Sequence, residues 1–238
     1  MTIASDPGPT FGSGGAEPYA RALRREGLLQ LVRSPGSTRE RGGRPGDAAR
    51  GTAQAAFDVA RWSADADAAD LTTIDDARSV LDIGCGPARM VRAAVDRGLD
   101  ALGVDVSVTA VAMAVDAGLP VVAGSVFDAG LPGEGSWHVA LLLDGNIGIG
   151  GDPTALVRRA SSVLSTDGSV VVETAPDARA DVVYDAQVVD EQGRASATFP
   201  WAEVGREALG RHAAAAGLRV AQTWSASGRT FCRLVTAR

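Results

Sequence analysis

Residues 79–90 read SVLDIGCGPARM: an apolar run ends in Asp82-Ile83, turns through Gly84 and Gly86, and enters an amphipathic stretch at Arg89. A strand, a glycine turn and a helix in that order form the opening unit of an open α/β sheet, and such sheets bind their ligands outside the carboxyl ends of the strands. Glycine adopts φ > 0 without strain and lets another group come close to the backbone. A ligand is therefore expected at this turn.

The dinucleotide fingerprint G-x-G-x-x-G/A does not fit, because counting from Gly84 and Gly86 puts Arg89 where its third small residue belongs. The register that does fit is D-x-G-x-G-x-A across Asp82, Gly84, Gly86 and Ala88. Its carboxylate suits a cofactor with a cationic head and would repel a pyrophosphate. S-adenosylmethionine, with an ammonium and a sulfonium and no phosphate, has that character.

VLDIGCGPARM resembles the glycine-rich motif of class I S-adenosylmethionine-dependent methyltransferases, with Ala88 where many members carry a third glycine. The resemblance covers about residues 54–238 and implies S-adenosyl-L-methionine as cofactor, with Asp82, Gly84, Cys85 and Gly86 at the turn. Downstream, ALGVDVS ends a second strand in Asp105, 23 residues after Asp82. A carboxylate at that point is placed to accept from both hydroxyls of a ribose, and Val106 follows it into the site. A third strand leads into GSVFDAGLPGEGSW, which resembles the adenine-contacting segment of the family; Ser125 stands where many relatives have Asp, and Val126 and Phe127 are the residues to pack on the base.

Further along, HVALLLDGNIGIGGDP ends a fourth strand in Asp144. The resemblance makes Asp144 and Asn146 the candidates to orient or deprotonate the acceptor, with Asp144 also beside the cofactor. Asp152 followed by Pro153 is a helix start, and Ser107 is an N-cap. His138 begins a strand at the end away from the turn and is read as structural. The resemblance implies acceptor walls from the N-terminal helices, here Tyr19, Arg61 and Trp62, and from the insertion after the fifth strand, where Phe199 and Trp201 flank Pro200 and either line a pocket or staple the following helix. That insertion alternates apolar and polar residues over 181–189 and is expected to add a strand or hairpin over the site.

Outward from the turn, short apolar runs alternate with Ala-rich amphipathic stretches, the pattern of a parallel sheet with crossover helices. Strands are expected at 79–83, 101–105, 120–123, 138–143, 169–173, 219–225 and 230–235, and helices at 89–97, 108–117, 153–164 and 202–216. Only Ala226–Arg229 joins the last two strands, which forces them antiparallel. The expected fold is an α/β Rossmann-like three-layer sandwich: a mostly parallel seven-stranded sheet with an antiparallel C-terminal hairpin. Residues 1–53 are expected to be a flexible, partly helical extension, with a helix over PYARALRREGLLQLV and mobile Gly/Pro-rich stretches at 1–16 and 33–51. Residues 54–76 read as helical.

All 23 basic residues are Arg, and the net charge is −6. Nucleic-acid binding needs a cationic face to displace counterions, so neither DNA nor RNA is an expected partner. Two cysteines and two histidines offer no metal-ligand spacing, and no metal is expected. Without a basic leader or a run of roughly 20 apolar residues, no membrane partner is expected and the compartment is read as cytoplasmic. The expected partner is a small-molecule methyl acceptor. A non-catalytic cofactor-binding subunit and another S-adenosyl-dependent transferase remain open as alternatives, as do the acceptor itself, the oligomeric state and the role of the extension.

Overall fold

The computed structural model describes residues 10–12, 18–25, 28–40, 55–57 and 59–237. The chain enters through α1 (Pro18–Arg25), β1 (Leu29–Arg33), β2 (Arg39–Glu40), β3 (Ala55–Phe57), α2 (Val59–Ser63) and α3 (Ala68–Leu71). It then alternates through β4 (Ser79–Ile83), α4 (Arg89–Asp96), β5 (Asp100–Asp105), α5 (Val108–Asp116), β6 (Val121–Ala123) and β7 (Trp137–Leu142). A 3-10 stretch, Asn146–Gly151, leads to α6 (Pro153–Ser162) and β8 (Leu164–Thr174). β9 (Asp181–Asp190), β10 (Phe199–Val204), α7 (Arg206–Ala215), β11 (Leu218–Ala226) and β12 (Arg229–Thr236) complete it.

The main sheet has the order β11-β12-β8-β7-β4-β5-β6. β4 pairs in parallel with β5 and β7, β5 with β6, and β7 with β8, while β12 pairs antiparallel with β8 and β11. β4 lies near the centre and is buried from Val80 to Ile83, which is why it reads as an unbroken apolar run rather than an alternating one. Its two faces feed separate cores. Leu81 and Ile83 pack with Leu156 and Val157 of α6 and Leu209 of α7. Val80 packs with Met90 and Ala94 of α4 and Ile74.

The second sheet, β10-β9-β1-β3 with β2 against β9, is antiparallel and sets Leu29, Leu31, Tyr184, Val188, Phe199 and Trp201 into one further core. It docks on the 3-10 stretch: a Cβ on Gly148 would lie 2.3 Å from the Ala202 carbonyl oxygen and 2.6 Å from the Trp201 ring. Only glycine permits that approach, so this contact fixes the sheet over the carboxyl end of β7.

Several expectations are corrected here. The helix expected over 18–32 stops at Arg25, and Leu29–Arg33 is a strand, because Leu29 and Leu31 alternate with exposed Gln30. Within 54–76, residues 55–57 form β3 and the helix is broken into α2 and α3. The helix expected from Ala202 begins at Arg206, since 199–204 form β10; this is an edge strand, where the missing N–H of Pro200 breaks no ladder. Residues 33–40, expected to be mobile, run into β2, with the Ser34 amide donating to the Asp185 carbonyl at 2.8 Å. Thr10–Gly12 also pack on the protein; the rest of the stretches expected to be mobile, 1–9, 13–16 and 41–51, lies outside the described residues. The insertion over 181–189 is a strand, β9, as expected.

Candidate active site

The turn after β4 is tied to β5 by two bonds, from the Gly84 and Cys85 amides to the Val104 carbonyl, at 2.8 and 3.2 Å. It is then fastened to the carboxylate that ends β5: Asp105 accepts from the Gly86 amide at 2.8 Å through one oxygen and from the Ser107 amide at 2.7 Å through the other. Each oxygen keeps a second lone pair. Burial pushes the Asp105 carboxyl above the usual range, and the two amides oppose that push.

From the other side, the Asn146 side-chain amide donates to the Ile83 and Gly84 carbonyls at 2.9 and 3.0 Å. A Cβ on Gly84, whose φ is +71°, would lie 2.7 Å from that Asn146 nitrogen. Gly84 is thus demanded by the closeness of Asn146 as well as by its own backbone angle. Ala88 takes the left-handed conformation, φ 69° and ψ 38°, at the start of α4, where a third glycine would be unstrained.

Gly84, Cys85, Gly86, Asp105, Val106, Ser125, Val126, Phe127, Asp144, Asn146, Tyr19, Trp62 and Trp201 all line one cleft of about 360 Å³ at the carboxyl ends of β4, β5 and β7. Asp82 does not; its side chain is buried beneath the turn. Phe127 is 42% exposed at the cleft edge. His138 lies at the far end of β7, accepting from the Arg78 amide.

Below the Asp144 end of the cleft lies a charge network that no sequence pattern announces. Arg89 donates twice to Asp70, through Nε and Nη2 at 3.1 Å each, and once to Asp144 at 2.6 Å. Arg229, in the C-terminal hairpin, donates to Asp70 at 2.7 Å and grips Glu173 at 2.8 and 2.7 Å. Glu173 accepts from the Asp144 amide at 2.8 Å, and Asp144 has a positive φ of 52°. Burial disfavours the charge on Asp70, but the bonds from Arg89 and Arg229 override it and hold that carboxyl well below its usual range. Arg89 lies on one oxygen of Asp144, and Arg61 and Arg229 are each 3.7 Å from the other, so three guanidinium groups surround this carboxylate. Its oxygens can accept a hydrogen bond from a ligand in the cleft. Asn146, expected to orient or deprotonate the acceptor, donates its side-chain amide to the turn and also lines the cleft beside Asp144.

The cleft shape, the carboxylate at the end of β5 and the strand order now meet a sequence comparison. The model of the family described as a methyltransferase domain matches residues 54–223. The chain belongs to that methyltransferase family. No curated protein matches it by sequence. Among solved structures, an S-adenosylmethionine-dependent methyltransferase from Bacteroides fragilis, in complex with S-adenosyl-L-homocysteine, is similar with a TM-score of 0.69 at 17% identity, covering 94% of each chain. The CcbJ methyltransferase from Streptomyces caelestis has a TM-score of 0.56 at 15% identity, covering 71% of this chain and 87% of its own. The 1,6-didemethyltoxoflavin-N1-methyltransferase from Burkholderia thailandensis, with bound 1,6-didemethyltoxoflavin and S-adenosylhomocysteine, reaches 0.51 at 16% identity, covering 71% and 77%. At these identities the likeness is one of fold. The first of them extends it beyond residues 54–238 of this methyltransferase, into the N-terminal segment.

Asp82 gives the methyltransferase a distinctive pH response. Burial is the largest influence and pushes its carboxyl up to about 7; Arg89 pulls it down, while Asp144, Asp105 and Asp70 add to the rise. The folded state therefore holds a proton that the unfolded chain releases near pH 3.8. This contribution to stability is fully present below about pH 4 and is lost as the pH rises through about 7. Asp82→Asn should unfold at a higher temperature than the wild type at pH 8, and the gap should close towards pH 4; a gap of equal size at both values would contradict the assignment.

Proposed function

We propose that this methyltransferase uses S-adenosyl-L-methionine to methylate a small-molecule acceptor. The observation that carries the cofactor reading is the Asp105 carboxylate, presented at the end of β5 by the Gly86 and Ser107 amides with a lone pair on each oxygen still to offer. That arrangement suits a ribose diol. The cleft also suits an adenosine in size, since ligand sites run from roughly 300 to 1,000 Å³. Gly84, Cys85, Gly86 and Val106 would surround the amino-acid and ribose portions, and Ser125, Val126 and Phe127 the adenine, while Asp82 stays beneath the turn. Two of the structural relatives were crystallised with S-adenosylhomocysteine, which supports the same choice.

When bound, the cofactor supplies a methyl group on a positively charged sulfur that leaves as a neutral thioether. What the chain must add is alignment, which can contribute about 7–11 kcal/mol towards the barrier; a general base adds typically 10²–10⁴-fold. Tyr19, Trp62 and Trp201 wall the acceptor end and exclude water from it. Asp144, fixed by Arg89, accepts a hydrogen bond from the acceptor and turns its nucleophilic atom towards the cofactor. The net charge of −6 and a neighbour bound to a toxoflavin precursor both favour a small acceptor over a nucleic acid.

Calorimetry should register S-adenosylhomocysteine and S-adenosylmethionine and no NAD, and Asp105→Ala should weaken both sulfur ligands by about 10²-fold or more, for the loss of two charge-assisted hydrogen bonds. Binding of NAD alone, or an unchanged affinity in the variant, would remove the reading.

With methyl-labelled cofactor and a metabolite extract, label should enter the small-molecule fraction and neither protein nor RNA. Asp144→Asn should then slow turnover by less than about 10²-fold and raise KM for the acceptor while leaving cofactor affinity near that of the wild type. A loss well beyond 10²-fold in kcat, with KM unchanged, would make Asp144 the base after all.

A further inference from the structure

Five aromatic rings converge at the acceptor end of the cleft from four separate stretches of chain, and one of them differs from the rest. Tyr19 and Trp62, from α1 and α2, meet edge to face with ring centroids 5.9 Å apart, and Phe199 and Trp201, both on β10, do the same at 5.9 Å. These pairs are two walls. Phe11 stands between them, with its centroid 4.9 Å from Tyr19, 6.2 Å from Trp62 and 5.8 Å from both Phe199 and Trp201. It meets Trp62 and Phe199 edge to face, at 84° and 90°, the arrangement that aromatic quadrupoles prefer.

The walls belong to the fold: Tyr19, Phe199 and Trp201 are at most 4% exposed and share a core with Leu29, Leu31 and Tyr184. Phe11 is only partly buried, lies outside every helix and strand, and lines the cleft together with Asp144 and Gly84. Its ring fills a box whose walls are held in place by other residues.

The charges around this box decide what else could fill it. Asp144 is matched by Arg89, with Arg61 and Arg229 beyond, and Asp70 and Glu173 are matched by Arg89 and Arg229. Asp67, 3.5 Å from Arg61 and 3.6 Å from Arg229, belongs to the same network, so four carboxylates meet three guanidinium groups; a cationic acceptor would find each of these carboxylates already partnered, and an anionic one would meet the surplus negative charge.

We propose that this box is the acceptor subsite, that it takes an uncharged aromatic ring, and that Phe11 occupies the place the acceptor's ring takes when it binds. The proposal rests on the methyltransferase reading above and adds the substrate class and a competing residue to it.

The test uses the full chain and 2-naphthol as probe, titrated calorimetrically with and without saturating S-adenosylhomocysteine, alongside decahydro-2-naphthol, its saturated counterpart. Phe11→Ala should bind 2-naphthol about tenfold more tightly than the wild type, since the probe no longer competes with a ring that makes several aromatic contacts. Phe11→Leu, which keeps apolar bulk without the ring, should move in the same direction, and Phe11→Ala combined with Trp201→Leu should lose the gain. In Phe11→Ala the saturated probe should bind several-fold more weakly than 2-naphthol. Equal 2-naphthol affinity in the wild type and both single variants, or equal affinity for the two probes, would overturn the proposal. A wild type that fails to bind S-adenosylhomocysteine would instead overturn the cofactor reading, and the titrations without it would still decide the box.

Discussion

The site is built on the guanidinium of Arg89. It is only 6% exposed in its side chain, and it ties Asp70 of α3 to Asp144 at the end of β7 while itself starting α4 directly after the glycine turn. A buried cation with one carboxylate removed would leave an uncompensated charge, at a cost of about 3–5 kcal/mol. Arg229 extends the same arrangement to Glu173 and hence to the end of β8. Five structural elements, α3, α4, β7, β8 and β12, are thereby held to one another at the end of the sheet where the cleft opens.

The turn depends on this scaffold from below and on Asn146 and Asp105 from the sides. Glycine residues there answer to neighbours inside the protein as much as to a ligand: Gly84 makes room for the Asn146 amide, and Gly148 makes room for the second sheet. The second sheet carries two of the aromatic walls, so the same close contact that docks it on the 3-10 stretch also sets Trp201 against the cleft. The fold and the aromatic end of the cleft are consequences of the same few approaches.

Much of this was legible beforehand. β4 spans the residues expected for it, because a central parallel strand is buried on both faces and reads as one apolar run between a break and a glycine turn. The C-terminal hairpin was forced by a connection too short for a crossover. The candidates on the main sheet, Asp82 apart, came together in one cleft because each sits at or just past the carboxyl end of a strand whose end could be placed; Tyr19, Trp62 and Trp201 reach it from two helices and the second sheet. The second sheet was not legible in its N-terminal part: Leu29 and Leu31 are spaced so that a short antiparallel strand continues the apparent period of the helix before it, and their partners lie some 160 residues away in β9. Arg89 carried a signal that was read only as a mismatch to the dinucleotide fingerprint. Its partners Asp70 and Asp144 are 19 and 55 residues distant, and nothing in a single sequence pairs them. Phe11 was hidden by the Gly/Pro-rich composition around it.

The central claim is that the cleft between the glycine turn and Asp105 holds the adenosine of an S-adenosyl cofactor, with its sulfur directed to the Asp144 end. A crystal structure of the full chain with S-adenosylhomocysteine tests it most directly. The account predicts both ribose hydroxyls within hydrogen-bonding distance of the Asp105 carboxylate, the adenine against Val126 and Phe127, and the sulfur facing the chamber between Asp144 and Trp201. An adenine seated among Tyr19, Trp62 and Trp201, or a ribose with no bond to Asp105, would contradict it.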